Sequence, residues 1–298
     1  MIRVRVPATS ANMGPGFDSL GIAFDLYNEY EISEVDTGLV FEGIPEEFCN
    51  TKNIIYEAMM KCFEKANYKA KGLKIKVIKQ GVPISRGLGS SSSCIVAGLV
   101  AANCIAENKF SKDELFNIGV EMEGHPDNVA PAMFGDMVVA IIDNGRSLYN
   151  KVHIKPGISF IGLIPDFRLS TKEAREILPR EISLKQGVYN VGRAALMVSC
   201  FSTGNYELLK YACDDMFHQN YRSKLINHYD EVYNKSYELG AVGCFLSGAG
   251  PTIMTMIKDD NKDFLIGIKK YLKNNNINWD VVELKVDNPG AVILKGEN

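Results

Sequence analysis

From Pro83 to Ser93 the chain reads PISRGLGSSSS, a run whose residue types suit the capture of a phosphate. Gly87 and Gly89 free the backbone to approach a bulky anion closely, and Ser90, Ser91, Ser92 and Ser93 add hydroxyl donors. The small and apolar residues from Cys94 to Ala106 read as a buried helix whose N-terminus would offer the same anion unpaired N–H groups and a partial positive charge. Two better-known cradles are excluded. The GxxxxGK[ST] loop needs a lysine that is absent, and the dinucleotide fingerprint needs a third glycine where Ser92 stands. Taken alone, the run is equally an N-capped helix behind a flexible turn.

Further segments bring groups that do chemistry. In EGHPDNVAP, Glu123 to Pro131, a carboxylate, an imidazole, a second carboxylate and an amide (Glu123, His125, Asp127 and Asn128) fall within six residues at the end of a helix, denser than a turn requires. The loop Ala8 to Gly21 carries Asn12, Gly14, Gly16 and Asp18 within seven residues, too polar a cluster for a tight hairpin. In LSTKEAREILP, Thr171 and Arg175 lie four apart on one helical face and are expected to meet one anionic group together. LSGAGPT, Leu246 to Thr252, reads by itself as a glycine turn between strands.

The elements that must position these groups show in the hydrophobic periodicity. Ile2, Val4 and Val6 alternate with Arg3 and Arg5 as an opening strand that Pro7 ends, and Leu73, Ile75 and Val77 alternate with lysines in the strand leading to the glycine-serine run. Glu29 to Glu34 and Leu39 to Ile44 are strand-like, Asn53 caps a helix reaching about Asn67, and Ser111 with Glu114 makes a capping box for a helix to about Glu123. Gly135 to Asn144 reads as the strand that closes a first domain. A polar loop near Asn150 to Gly157 then divides the chain into residues 1–153 and 154–298. Beyond it come an apolar run at Ile158 to Ile164 and helical stretches at Val188 to Phe201, Glu207 to Asp214 and Ile226 to Leu239. Strands at Ala241 to Phe245 and Ile253 to Ile257 flank the SGAGPT turn, and a helix near Lys262 to Lys273 and a strand near Trp279 to Leu284 follow. The pattern supports a mixed α/β chain, and by pattern alone a right-handed βαβ nucleotide fold.

Composition narrows the class. At 298 residues the chain exceeds a typical single domain, and 46% hydrophobic with 23% charged residues excludes a disordered polymer. A net charge of -3 gives no general attraction to nucleic acid or anionic membrane. The seven cysteines are odd in number and widely spaced, which argues for buried thiols in a reducing compartment. His125, His153, His218 and His228 lack close metal-ligand spacing. MIRVRVP carries arginines where a leader would be apolar, and no run reaches the roughly 18 apolar residues of a membrane helix. The expectation is a cytoplasmic protein with no nucleic-acid or membrane partner.

PxxxGLGSSxS between a strand and a small-residue helix resembles the nucleotide loop of the GHMP kinases. PATSANMGPGFDSLG, Pro7 to Gly21, is similar to their N-terminal motif and LSGAGPT to their C-terminal one, so the likeness spans nearly the whole chain. It implies an α+β fold of two domains, the first with a left-handed βαβ unit and the second ferredoxin-like, with the ligand cleft between them. It implies ATP held by Pro83, Ile84, Ser85, Arg86, Gly87, Leu88, Gly89, Ser90, Ser91, Ser92 and Ser93, and Mg²⁺ held by Ser91 and Glu123. Arg86 has no assigned role of its own within that loop.

Within the family, PATSANMGPGFDSLG, HPDNVAP and STKEAR resemble the branch that phosphorylates L-homoserine to O-phospho-L-homoserine for threonine synthesis. The resemblance implies a substrate site of Asn12, Asp18, His125, Asp127, Asn128, Thr171, Arg175, Arg222 and Gly248. In it Asp18 meets the ammonium group, Arg222 grips the carboxylate, and Asp127 and Arg175 are the catalytic candidates. Related kinases have an aspartate near here that takes the acceptor's hydroxyl proton. Spacing does not decide whether Asp127 or Asn128 occupies that place, and Asp127 is both candidate base and candidate substrate ligand. Glu123 and His125 are two apart, whereas some members carry a longer segment between them. A homodimer is implied at the family level. The alternatives are a mevalonate-type sibling kinase and a non-catalytic ligand sensor of the same fold. Intact Ser91, Glu123 and Asp127 argue against the sensor, which could dispense with them.

Overall fold

The structure, a computed structural model, describes residues 1–294. In chain order its elements are β1 (Ile2–Ala11), β2 (Leu20–Glu34), β3 (Gly38–Glu42), α1 (Ile54–Ala66), β4 (Gly72–Gln80), α2 (Ser90–Ile105), α3 (Lys112–Glu123), α4 (Pro126–Phe134), β5 (Met137–Asp143) and β6 (Arg146–Val152). There follow β7 (Ile158–Pro165), α5 (Thr171–Glu176), α6 (Leu184–Thr203), α7 (Leu209–Ala212), α8 (Gln219–Arg222), α9 (Tyr229–Glu238), β8 (Gly243–Leu246), β9 (Ile253–Lys258), α10 (Phe264–Asn274), β10 (Trp279–Leu284) and β11 (Val292–Leu294).

One sheet runs β11-β1-β2-β4-β3, with β5 paired to β2 and β6 to β5. Its parallel pair, β3 with β4, is joined through α1 as a βαβ unit. Helix α2 is apolar along almost its whole length because it lies inside the core formed by α1, α3, α4 and the sheet, where Phe63, Phe116, Leu99 and Val96 are buried together. The second sheet is antiparallel in the order β10-β7-β9-β8. Numbered within this half, that order is 4-1-3-2, the ferredoxin-like arrangement, with α5 to α9 filling one crossover and α10 the other. The last strand, β11, goes back to the first sheet and pairs antiparallel with β1 through Arg5 and Val292.

Several local expectations are corrected. Pro7 does not end the first strand, which continues to Ala11. The β1–β2 register shifts between Pro7 and Ala8, and on the other side β11 pairs only with Arg3 to Arg5, so the missing N–H of Pro7 costs no ladder bond. The loop expected over Ala8 to Gly21 is accordingly shortened to residues 12–19. The polar stretch expected to be a loop at Asn150 begins as strand β6, made by a hairpin at Asn144-Gly145, both with positive φ (49° and 77°). Asn-Gly is the strongest short hairpin signal, and it was in the sequence. His125 to Asn128 is not a turn after a helix but the start of α4. Gly124 closes α3 in the left-handed region (φ 89°), and Pro126 opens α4 at N1, where its missing N–H is harmless.

Candidate active site

Between β4 and α2 the chain passes through three residues of positive φ, Ser85 (54°), Gly87 (78°) and Gly89 (70°). Gly89 is the N-cap of α2 and brings no side chain, so the N–H groups of the first turn stay open to an anion. A Cβ at Gly87 would stand 2.3 Å from the Ser247 carbonyl oxygen, and one at Gly89 1.9 Å from Thr9 Oγ1. Only glycine lets the cradle sit this close to its neighbours.

The cradle forms a wall of a cleft of about 410 Å³, to which Ile84, Ser85, Arg86, Gly87, Gly89, Ser90 and Ser91 contribute, and which Glu123, Asn128, Thr171, Gly248 and Gly250 also line. Behind this wall lie Pro83, half-buried, and Leu88, Ser92 and Ser93, all buried; Ser93 Oγ accepts from Asn28 Nδ2 at 3.3 Å. The C-terminal half grips the cradle by its carbonyls. Leu169 N–H donates to Ser85 O at 3.0 Å, Thr252 Oγ1 to Arg86 O at 2.6 Å, and Ser247 Oγ to Gly87 O at 2.6 Å. The Arg86 guanidinium stands 3.9 Å from Asp166, and its NH1 is buried without a hydrogen-bond partner among the described residues.

At the mouth of α2, the Glu123 carboxylate accepts from Ser91 Oγ at 3.3 Å and from Ser92 Oγ at 3.0 Å. Two hydroxyls and a carboxylate beside a phosphate cradle are hard oxygen donors, the set that Mg²⁺ prefers. The residues present therefore fit that ion.

Behind Gly248 and Asn128, which line the cleft, lies a compact charged group whose own members are not among the lining residues. Asn12, buried and in the left-handed region (φ 65°), donates from Nδ2 to Gly248 O at 2.9 Å and accepts the Asp18 N–H on Oδ1 at 2.9 Å, so its amide shapes the loop. Arg175, from α5, holds Asp18 in a fork, 2.6 Å to Oδ1 and 3.2 Å to Oδ2. Thr171, one turn earlier, lines the cleft beside the cradle, and the two share no partner among the described residues. Both stand on α5, Thr171 at its start and Arg175 one turn on. Asp18, His125 and Asp127 bring side-chain ligand atoms to within 4.8 Å of one another.

Asp127 is buried in the first turn of α4, where the helix dipole favours its charge, and its Oδ1 lies 2.6 Å from His125 Nδ1. Burial disfavours the charged imidazole of His125, but the hydrogen bond and charge of Asp127 outweigh it and hold the ring above the usual histidine range. Asn128 turns the other way, accepting from Thr9 Oγ1 at 2.7 Å beside Gly89 and lining the cleft. The aspartate thus belongs to the charged group and the amide to the cradle side.

Arg222 is almost wholly buried. Its Nε donates to Ala174 O at 2.9 Å and its NH1 to Gly248 O at 3.0 Å. No carboxylate pairs with it among the described residues. Burial, followed by the nearby Arg175, pushes its pKa down to about 10. Sequence reasoning missed Phe17 and His218, which touch this arginine, and Ser247 and Thr252, which hold the cradle. Their partners are more than 150 residues away, or lie in a helix too short to have a period.

A family model described as GHMP kinases N terminal domain matches residues 53–136, spanning α1, the cradle and the Glu123 to Asn128 segment. A second, GHMP kinases C terminal, matches residues 197–266. The chain belongs to the GHMP kinase family. Among curated GHMP relatives, a homoserine kinase of Clostridium botulinum (strain Alaska E43 / Type E3) is 64% identical over 297 residues, covering 100% of both chains. One from Clostridium beijerinckii is 63% identical over 296 residues, covering 99% of each. Among solved structures, a homoserine kinase from Cytophaga hutchinsonii matches with a TM-score of 0.87 at 28% identity, over 98% of this chain and 97% of that one. A mevalonate kinase of L. major in complex with R-mevalonate shares the GHMP fold, with a TM-score of 0.71 at 16% identity and 95% of each chain covered.

Proposed function

We propose that this GHMP kinase transfers the γ-phosphoryl group of ATP to the side-chain hydroxyl of L-homoserine, giving O-phospho-L-homoserine for threonine synthesis. The observation that carries the reading is the juxtaposition of a glycine-rich phosphate cradle, lining the cleft, with a partly buried group of opposite charges beside it that matches a zwitterion. Homoserine presents an ammonium and a carboxylate on one carbon. Asp18 takes the ammonium, while Arg222, without a carboxylate partner among the described residues, takes the carboxylate together with Arg175. Mevalonate has no ammonium group and would leave Asp18 without that role.

The transfer itself asks for alignment more than for a strong base, since the transition state is loose and its charge lies on the transferred oxygens. The N–H groups at the start of α2 and the hydroxyls of Ser90 and Ser91 hold the phosphates. Asn128 orients the hydroxyl from the cradle side, and Asp127, held by His125, receives its proton from the acceptor side. Ser91 and Glu123 would hold Mg²⁺, which when bound would neutralise phosphate charge. A homodimer and a cytoplasmic location are part of the same reading.

ADP release measured with ATP, Mg²⁺ and L-homoserine, beside mevalonate, L-serine, L-threonine and a blank without acceptor, tests the proposal. The expected result is turnover that depends on homoserine and vanishes with EDTA. Turnover with mevalonate instead would discard the substrate. Saturable ATP binding without turnover on any acceptor would favour a sensor.

A further inference from the structure

His218 is fully buried, lies one helical turn before Arg222, and touches the substrate loop on its other side. Its Nε2 stands 2.8 Å from the carbonyl oxygen of Gly14. A carbonyl only accepts, so Nε2 carries the proton. Nδ1 lies 3.3 Å from NH1 of Arg222, which only donates, so Nδ1 is the unprotonated acceptor. The ring is therefore neutral, in one tautomer fixed by both neighbours.

Asp215 is the nearest carboxylate, at 3.7 Å from Nε2, but its oxygens are filled by the N–H groups of Phe217, His218 and Gln219 and by Asn190 Nδ2. The other groups facing the ring are the Arg222 cation, Asp18 at longer range and the Phe17 ring, 5.4 Å between centroids. Burial, with Arg222 acting in the same direction and Asp215 against it, pushes the imidazole below its usual range. Phe17 also stands 5.3 Å from the Arg222 guanidinium and 5.5 Å from that of Arg175. The His218 side chain thus fixes the Gly14 end of the substrate loop and the orientation of Arg222, which no carboxylate among the described residues pairs with.

We propose that His218 is a positioning residue for recognition of the acceptor's carboxylate, acting through Arg222. As a neutral acceptor it holds the guanidinium in place without consuming its charge, as an aspartate there would. The inference rests on the reading of Arg222 as the carboxylate's partner, and the test separates the two.

Steady-state kinetics are compared for L-homoserine and for 3-amino-1-propanol, the same chain without the carboxylate. His218→Gln keeps a donor near Nε2 for Gly14 but places no acceptor where Nδ1 stood, whereas His218→Asn keeps an oxygen near Nδ1. A hydrogen bond to a charged group makes the expected loss in His218→Gln about 10- to 100-fold, as a raised KM for homoserine with kcat retained. Activity on aminopropanol should hold, so the preference for homoserine collapses. His218→Asn should keep most of that preference, and adding His218→Gln to Arg222→Met should lower it no further than Arg222→Met alone. Equal losses on both acceptors in His218→Gln would reduce His218 to a structural role and overturn the inference. A preference unchanged in Arg222→Met would overturn the reading beneath it. Should His218→Gln not fold, ¹⁵N NMR of the wild-type imidazole decides: an Nε2–H tautomer supports the inference, and a protonated Nδ1 overturns it.

Discussion

Asp18 and Arg175 are each other's partners at 2.6 Å, and both are about a third exposed. Such a pair contributes little to stability, so a zwitterion can divide it at small cost, giving its ammonium to one and its carboxylate to the other. His125 and Asp127 form a more buried dyad, and its consequence is a pH dependence. The folded imidazole titrates above its unfolded value of about 6.5, so its contribution to stability is complete below that pH and is lost as pH rises through the folded value. NMR titration without nucleotide or divalent cation should give a His125 midpoint above that of an unfolded peptide. In Asp127→Asn the midpoint should fall from the wild-type value, because burial is then opposed only by the charges of Glu123 and Asp18. The melting-temperature advantage of wild type over Asp127→Asn should shrink from pH 6 to pH 8. An advantage that grows over that interval would contradict the dyad. At this scale the sequence singled out residues that the fold brings together, such as Asp18, His125 and Asp127. It was silent on which way they face, because Asp127 and Asn128 are adjacent and only the packing of α4 separates them.

The device that brings α4 to the site is a glycine on another element. A Cβ on Gly21 of β2 would lie 1.7 Å from the carbonyl oxygen of Asp127. Gly21→Ala must therefore push the start of α4 away from the sheet. Overpacking of this kind costs about 1 to 3 kcal/mol, and kcat should fall at least tenfold because the displaced residues are Asp127 and Asn128. Gly187, in α6, has no atoms near its missing Cβ, and Gly187→Ala should leave kcat unchanged and stabilise by up to about 1 kcal/mol. Equal kcat in the two variants would show that the close approach at Gly21 is unimportant. Elements with a local signal were legible in the sequence, such as α1 with its Asn53 cap and α3 with its Ser111–Glu114 capping box. Those decided by distant pairing were not. β11 has three residues and pairs with β1 almost 290 positions away, and β1 runs past Pro7 only because a bulge absorbs it.

Across the whole molecule, the site exists because the two halves share it. The first supplies the cradle, Glu123 and the acidic residues. The second supplies Arg175, Arg222 and the turn whose Ser247, Gly248 and Thr252 bond to Gly87, Ala11 and Arg86. Gly248 is the junction: its N–H donates to Ala11 O, and its carbonyl accepts from both Asn12 and Arg222. The C-terminal motif read in the sequence as a glycine turn, and its resemblance implied that Gly248, Ala249 and Gly250 meet the loops of the first half; the Gly248 carbonyl shared by Asn12 and Arg222 was not legible, since nothing local marks it. The central claim, that one cleft aligns a nucleotide with a zwitterionic alcohol, is tested most directly by a crystal structure with a non-hydrolysable ATP analogue, Mg²⁺ and L-homoserine. The account predicts the phosphates against Gly87 to Ser91, the metal on Ser91 and Glu123, the ammonium on Asp18, the carboxylate on Arg222, and the hydroxyl facing the γ-phosphate. Homoserine bound elsewhere, or reversed so that its carboxylate faces the cradle, would contradict it.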